Sequence, residues 1–143
     1  MRIEDVITRE VIVGRPDMSL NAIGRIFKEK RISGIPIVDQ EGQLVGIVTL
    51  TDMLKILDEI YEWRKLKDKV PGLKLAEEFE QKKENATAKD IMTRQVETLP
   101  EDCSMDDVMT KMFDKRIHTI PIVKDDKIVG IIGKHDLISA CFE

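Results

Sequence analysis

Gly46-Ile47-Val48-Thr49-Leu50-Thr51-Asp52 ends one apolar run of the chain and opens a helical pattern, and Gly130-Ile131-Ile132-Gly133-Lys134-His135-Asp136 does the same again later. About ten residues before each stands the same tetrapeptide, Ile35-Pro36-Ile37-Val38 and Ile120-Pro121-Ile122-Val123. Working outward, Asp5, Thr8, Arg9 and Val11 match Asp90, Thr93, Arg94 and Val96, while Asp17 and Ser19 match Asp102 and Ser104. Lys30-Arg31-Ile32 matches Lys115-Arg116-Ile117. The offset is 85 between the two prolines and 84 between Asp52 and Asp136, so one residue is lost where Asp39-Gln-Glu-Gly-Gln43 becomes Lys124-Asp-Asp-Lys127. A register kept over that length marks an internal duplication.

Each copy reads as β-α-β-β-α. Val11 to Val13, and Val96 to Leu99, are short β-rich runs followed by a turn at Pro16 or Pro100. Ser19 and Ser104 stand where a hydroxyl can accept from the free N–H groups of a first helical turn. The helices continue with Leu20, Ile23, Ile26 and Phe27 in one copy and Met105, Val108, Met109 and Met112 in the other, spacings of three and four that make one apolar stripe. The methionines are read as core filling. Two strands follow, Ile35 to Val38 with Leu44 to Thr49, and Ile120 to Val123 with Ile128 to Ile132. Asp52 or Asp136 then opens a second helix. These strands are too apolar to face water on both sides, so the two units are expected to bury their sheets against one another.

The units span residues 1–57 and 87–143, with a helical insertion at 58–86. Met53 to about Val70 is helical in pattern, with Ile56, Ile60, Trp63 and Leu66 near one face. Pro71-Gly72 breaks it, and Leu73 to Glu84 reads as a second helix. A stripe carrying the only Trp of the chain is expected to pack on the core or a second subunit, with a docking site for another protein as the alternative.

The chain has 143 residues, 42% hydrophobic and 4% aromatic, so an aliphatic core is affordable. The net charge of -4, with acids and bases mixed along the chain, argues against binding driven by neutralising nucleic-acid phosphates. No apolar run approaches the roughly 20 residues of a membrane span. The N-terminal segment carries acids where a secretion signal needs a basic and then an apolar stretch, so a cytoplasmic location is expected. Cys103 and Cys141 have no CxxC spacing and are read as reduced, inert thiols. Charged residues at 35% lean towards an ion-paired surface of the thermophilic kind.

Chemically, Gly46 admits a close backbone approach. Thr49 and Thr51 share a parity, so on an extended strand their hydroxyls point to one side. Asp52 follows at the strand-to-helix junction, where a carboxylate is favoured by the free N–H groups. A carboxylate beside two hydroxyls suits the vicinal hydroxyls of a ribose. The plainer reading is a capping Asp with two β-forming threonines. No Ser-His-Asp or Cys-His grouping, phosphate-binding glycine loop or HExxH is present, so catalysis is not expected. No spacing supports a metal shared by His118, His135 and Asp136.

The order of elements, the R-I-x-x-I-P-I-V strand and the G-x-x-T-x-T-D strand end together resemble a cystathionine-β-synthase (CBS) domain, and two in tandem resemble a Bateman module. The resemblance covers nearly all of the chain outside the central helical segment. It implies an α/β (α+β) fold of two βαββα units with pseudo-two-fold symmetry and clefts between them. In that family the clefts commonly bind AMP, ADP, ATP or S-adenosylmethionine, and no cofactor is required. The same family supplies the regulatory subunit of AMP-activated kinase and the regulatory insert of inosine-monophosphate dehydrogenase.

Carried onto this chain, the resemblance assigns ribose binding to Thr49, Thr51 and Asp52. It places Thr93, Val96 and Thr98 beside the base, and His118 and Thr119, just before Pro121, beside the phosphates. The mirror cleft would use Thr8, Val11, Val13, Ser33, Gly34, Pro36, His135 and Asp136. There Gly133 and His135 replace the two hydroxyls, and Ser33-Gly34 offers no cation to a phosphate. The Asp52 cleft is therefore the better nucleotide site, while the Asp136 cleft is either empty, reserved for another ligand, or no more than a helix cap. The expected protein is a non-catalytic sensor acting through a homodimer or an unidentified effector protein. The alternative is an interaction protein with vestigial clefts. Nucleic-acid binding is a weaker third reading.

Overall fold

In a computed structural model, which describes residues 2–69, 81 and 84–142, the duplication is visible element by element. The chain runs α1 (Ile3–Val6), α2 (Leu20–Lys30), β1 (Gly34–Val38), β2 (Leu44–Thr49) and α3 (Leu50–Lys69), then α4 (Ala88–Ile91), β3 (Leu99–Pro100), α5 (Met105–Asp114), β4 (Thr119–Lys124), β5 (Lys127–Gly133) and α6 (Lys134–Cys141). The fold is α+β, built on two small sheets.

β1 and β2 form one antiparallel hairpin, with Gly34 opposite Thr49. β4 and β5 form its twin, with Thr119 opposite Gly133, and β3 adds a parallel edge to it. Both hairpins shift register at equivalent places, between Ile37 and Val38 and between Ile122 and Val123. The lost residue lies in the turns. In the first, Asp39 Oδ1 accepts from the backbone of Glu41 and Gln43, and Gly42 takes φ +80°. In the second, Asp125 and Asp126 both take positive φ, as a two-residue hairpin turn with the right twist requires. The turns touch through a bridge between Gln43 and Lys127.

Ser19 and Ser104 cap α2 and α5 as expected, accepting from Ala22 and Asp107 at 3.1 Å each. β1 is buried along its whole length, which explains why its sequence does not alternate. The expected first strands are short: among the described residues Val11 to Val13 make no bridge, and Gly14 bridges to Ile37, while Leu99–Pro100 make the counterpart strand. Both preceding runs are half-buried.

The two packed cores differ from the two sequence repeats. Ile23, Ile35, Ile37 and Val48 pack with Ala88, which belongs to α4 and the second repeat. Val108, Ile120, Ile122 and Ile132 pack with Ile3 and Val6, which belong to α1 and the first. Each repeat thus lends its leading helix to the other. Two bridges complete the exchange: Thr8 pairs with Ile131 on β5, and Thr93 pairs with Ile47 on β2. Glycine is needed where those segments cross. A Cβ on Gly46 would meet Met92 Sδ at 2.5 Å and the Thr93 carbonyl at 3.1 Å, and one on Gly130 would meet Ile7 Cδ1 at 2.3 Å.

The insertion begins as a prolongation of α3, matching the helical pattern read from Met53 onward. Ile56 is buried, and Ile60 and Trp63 are half-buried, but Leu66 is exposed. Most of the expected helix from Leu73 to Glu84 lies outside the described residues. Among the described residues, no helix is long and apolar enough to cross a membrane.

Candidate functional site

A cavity of about 430 Å³ opens between the repeats at the N-terminus of α3, within the ordinary size range of small-molecule sites. The strand β2 ends at Thr49, and α3 begins at Leu50, so Asp52 is the third residue of the helix. Its Oδ2 accepts from the Thr49 backbone N–H at 2.8 Å and from the Thr49 hydroxyl at 3.0 Å. The Thr49 hydroxyl in turn accepts from the Asp52 N–H at 3.2 Å. Asp52 therefore takes part in capping, but from the third helical position and not as the N-cap of the plainer reading. The same bond, from the N-cap N–H to a carboxylate three residues on, recurs at Asp5, Asp90, Asp107 and Asp136.

Capping does not exhaust the carboxylate. A carboxylate offers about four acceptor positions. Among the described residues, the second oxygen of Asp52 receives only the Thr93 hydroxyl, at 3.3 Å, from the other repeat. That leaves room for a hydroxyl donor from a ligand. Thr51 lines the cavity too, but from the first turn of α3. The strand-parity argument fails for it, because the pleat stops at Thr49.

Of the residues assigned to this cleft by sequence, Thr49, Thr51, Asp52, Thr93, Val96, His118 and Thr119 line one cavity. Thr98 is half-buried outside that lining, and Pro121 is fully buried in β4. Three cations converge here that sequence reasoning did not assign, Lys55, Arg116 and Lys134. Arg116 follows α5 with φ 54°, a left-handed conformation. Its recurrence as Arg31, with φ 50°, was the available signal.

The mirror cavity is about 200 Å³. Asp136 Oδ2 accepts from the Gly133 N–H at 2.6 Å, and its Oδ1 accepts from the Thr8 hydroxyl at 2.9 Å. Thr8, Ser33, Gly34, His135 and Asp136 all line it, whereas Val11, Val13 and Pro36 do not, and Ile12 takes the place between the two valines. Ser33-Gly34 offers no cation, as expected, but Arg31, which sequence reasoning did not assign, lines this cleft and has φ 50°. Ser33 and Thr119 are hydrogen-bonded side chain to side chain and line both cavities, forming the wall between them.

Burial, more than Asp107, raises the pKa of the Cys103 thiol, which favours its protonated form. Among the described residues no group of three or more His, Cys, Asp or Glu side chains could hold a metal.

The CBS domain family matches residues 3–59 and 88–143 of this chain. The uncharacterized protein MJ1426 of Methanocaldococcus jannaschii is 31% identical over 98% of this chain and 90% of its own length. Inosine-5'-monophosphate dehydrogenase of the same organism is 28% identical over 94% of this chain, which spans only 22% of that enzyme. The solved CBS domain pair of protein MJ0100, in complex with 5'-methylthioadenosine and S-adenosyl-L-methionine, is 30% identical with a TM-score of 0.74, covering all of both chains.

Proposed function

The chain belongs to the CBS domain family, and from that premise we propose that it is a non-catalytic regulatory module that binds an adenosyl ligand in the clefts between its repeats. The ligand class is AMP, ADP, ATP or S-adenosylmethionine. The observation that carries the reading is the Asp52 carboxylate, held by Thr49 of one repeat and Thr93 of the other at the edge of a cavity of about 430 Å³. Ribose hydroxyls donate to its less occupied oxygen, Val96 packs beside the base, and His118 and Thr119 meet the phosphates. No group on the chain is asked to make or break a bond. The related pair from MJ0100, solved with two adenosyl compounds, supports the ligand class.

Because the site draws on both repeats, a ligand favours one relative arrangement of them, by no more than its affinity difference between the two states. The module then acts in the cytoplasm through a homodimer or an effector protein. An exposed apolar face on α5 and α6 supports an interface, with Phe113 72% and Ile138 55% exposed.

The test is the melting temperature of the purified chain against AMP, ATP and S-adenosylmethionine. A concentration-dependent rise is expected, and for AMP and ATP it is abolished by Asp52→Ala and less affected by Asp136→Ala. No shift with any of the three refutes the reading and favours a docking protein with vestigial clefts.

A further inference from the structure

The two clefts are copies of one another in fold but opposite in charge. Among the described residues, the Asp52 cleft is lined by three cations, Lys55, Arg116 and Lys134, against two carboxylates, Asp52 and Glu97. Glu97 is already held by Lys111, whose ammonium contact keeps its carboxyl below the ordinary pKa. Among the described residues, the Asp136 cleft has one cation, Arg31, against two carboxylates, Glu10 and Asp136. At equivalent positions of the duplication, Gln95 and His118 of the first cleft stand where the second has Glu10 and Ser33.

We propose, resting on the adenosyl reading, that the clefts sort their ligands by charge. The Asp52 cleft takes an adenine nucleotide with phosphates. The Asp136 cleft takes an adenosyl compound whose tail is neutral or cationic, such as a thioether or sulfonium nucleoside. The physical basis is direct. Phosphate oxygens gain charge-assisted bonds from Arg116 and Lys134, and among the described residues neither side chain is in an ion pair. In the other cleft a polyphosphate would lie beside Glu10 and Asp136 with only Arg31 to offset them, in a cavity of about half the volume. A neutral tail meets no such repulsion, and a sulfonium gains from the same carboxylates. Ribose recognition is common to both sites, through Asp52 with Thr93 and Asp136 with Thr8. The difference in specificity therefore resides at the phosphate end.

The experiment is calorimetric titration of the whole chain with ATP and with 5'-methylthioadenosine, each alone and each in the presence of saturating amounts of the other. Both are expected to bind, each changing the other's affinity by less than about threefold. Arg116→Gln with Lys134→Gln should weaken ATP about tenfold and leave methylthioadenosine unchanged, and added salt should do the same. Asp136→Ala should abolish methylthioadenosine binding and spare ATP. Full competition for one site overturns charge sorting while leaving the adenosyl reading intact. So does an equal loss of both ligands on removing Arg116 and Lys134. Binding of neither compound overturns charge sorting, and it overturns the adenosyl reading as well when AMP and S-adenosylmethionine also fail to bind.

Discussion

The Thr8 hydroxyl donates to the Asp136 carboxylate at 2.9 Å across 128 residues of chain. Its counterpart, Thr93 to Asp52 at 3.3 Å, runs in the opposite sense between the repeats. Each cleft carboxylate is thus positioned by its own helix and by the repeat to which it does not belong. Fold and site share one device, the exchange of the leading segments.

If that exchange supports the second core, Ile3→Ala should cost about 2 kcal/mol, the low end for a buried isoleucine, because a four-residue helix can relax around the loss. Urea unfolding measures the loss, and amide exchange locates it. Amides of β4 and β5 should open sooner, and those of β1 and β2 should change little. Faster exchange confined to β1 and β2 would contradict the packing.

Thr49 serves the helix and the carboxylate together, so Thr49→Val should lower stability by about 1 kcal/mol, as for other lost caps, and weaken adenosyl binding as well. Chemical denaturation and ligand titration on the same variant check the pair. A stability loss with unchanged affinity would mean that the orientation of Asp52 is irrelevant to binding.

Acid should weaken the fold through the capping carboxylates. The Thr87 backbone N–H, bonded to Asp90, holds that carboxyl below its ordinary pKa, and the Ser104 N–H does the same for Asp107. A pKa lowered on folding stabilises the native state fully above the unfolded value, about 3.9 for aspartate. The stabilisation is lost as pH falls through the lower folded values. Melting temperature should therefore decline below about pH 4, and less steeply in the Asp90→Asn, Asp107→Asn double variant. Equal slopes in the two proteins would exclude the caps as the cause.

The apolar face of α5 and α6 should be an interface. Phe113→Glu with Ile138→Glu should convert a dimer into a monomer in sedimentation equilibrium, with circular dichroism unchanged, since both side chains are exposed. A wild-type chain that sediments as a monomer at all concentrations would contradict it.

Much of this was legible beforehand. The offset between Pro36 and Pro121 gave the duplication, and apolar periodicity placed α2, α5 and the hairpins. Seven of the nine residues assigned to the Asp52 cleft line one cavity. What escaped lay where helix geometry or long-range contact decides. Thr51 has the strand parity of Thr49 in the sequence, but β2 and α3 join without a loop, which puts it in the helix. Val11 to Val13 have β-forming side chains but, among the described residues, no ladder partner. Arg31 and Arg116 were matched in the duplication but given no site role, although both take a left-handed backbone and line the clefts. The exchange of α1 and α4 was invisible because nothing local distinguishes packing on one's own repeat from packing on its twin.

The most direct test of the central claim is a crystal structure of the chain grown with ATP. The account predicts the nucleotide in the Asp52 cleft, with its ribose hydroxyls on the Asp52 carboxylate and its phosphates towards Arg116 and His118. ATP bound elsewhere on the molecule, with that cleft empty, would contradict it.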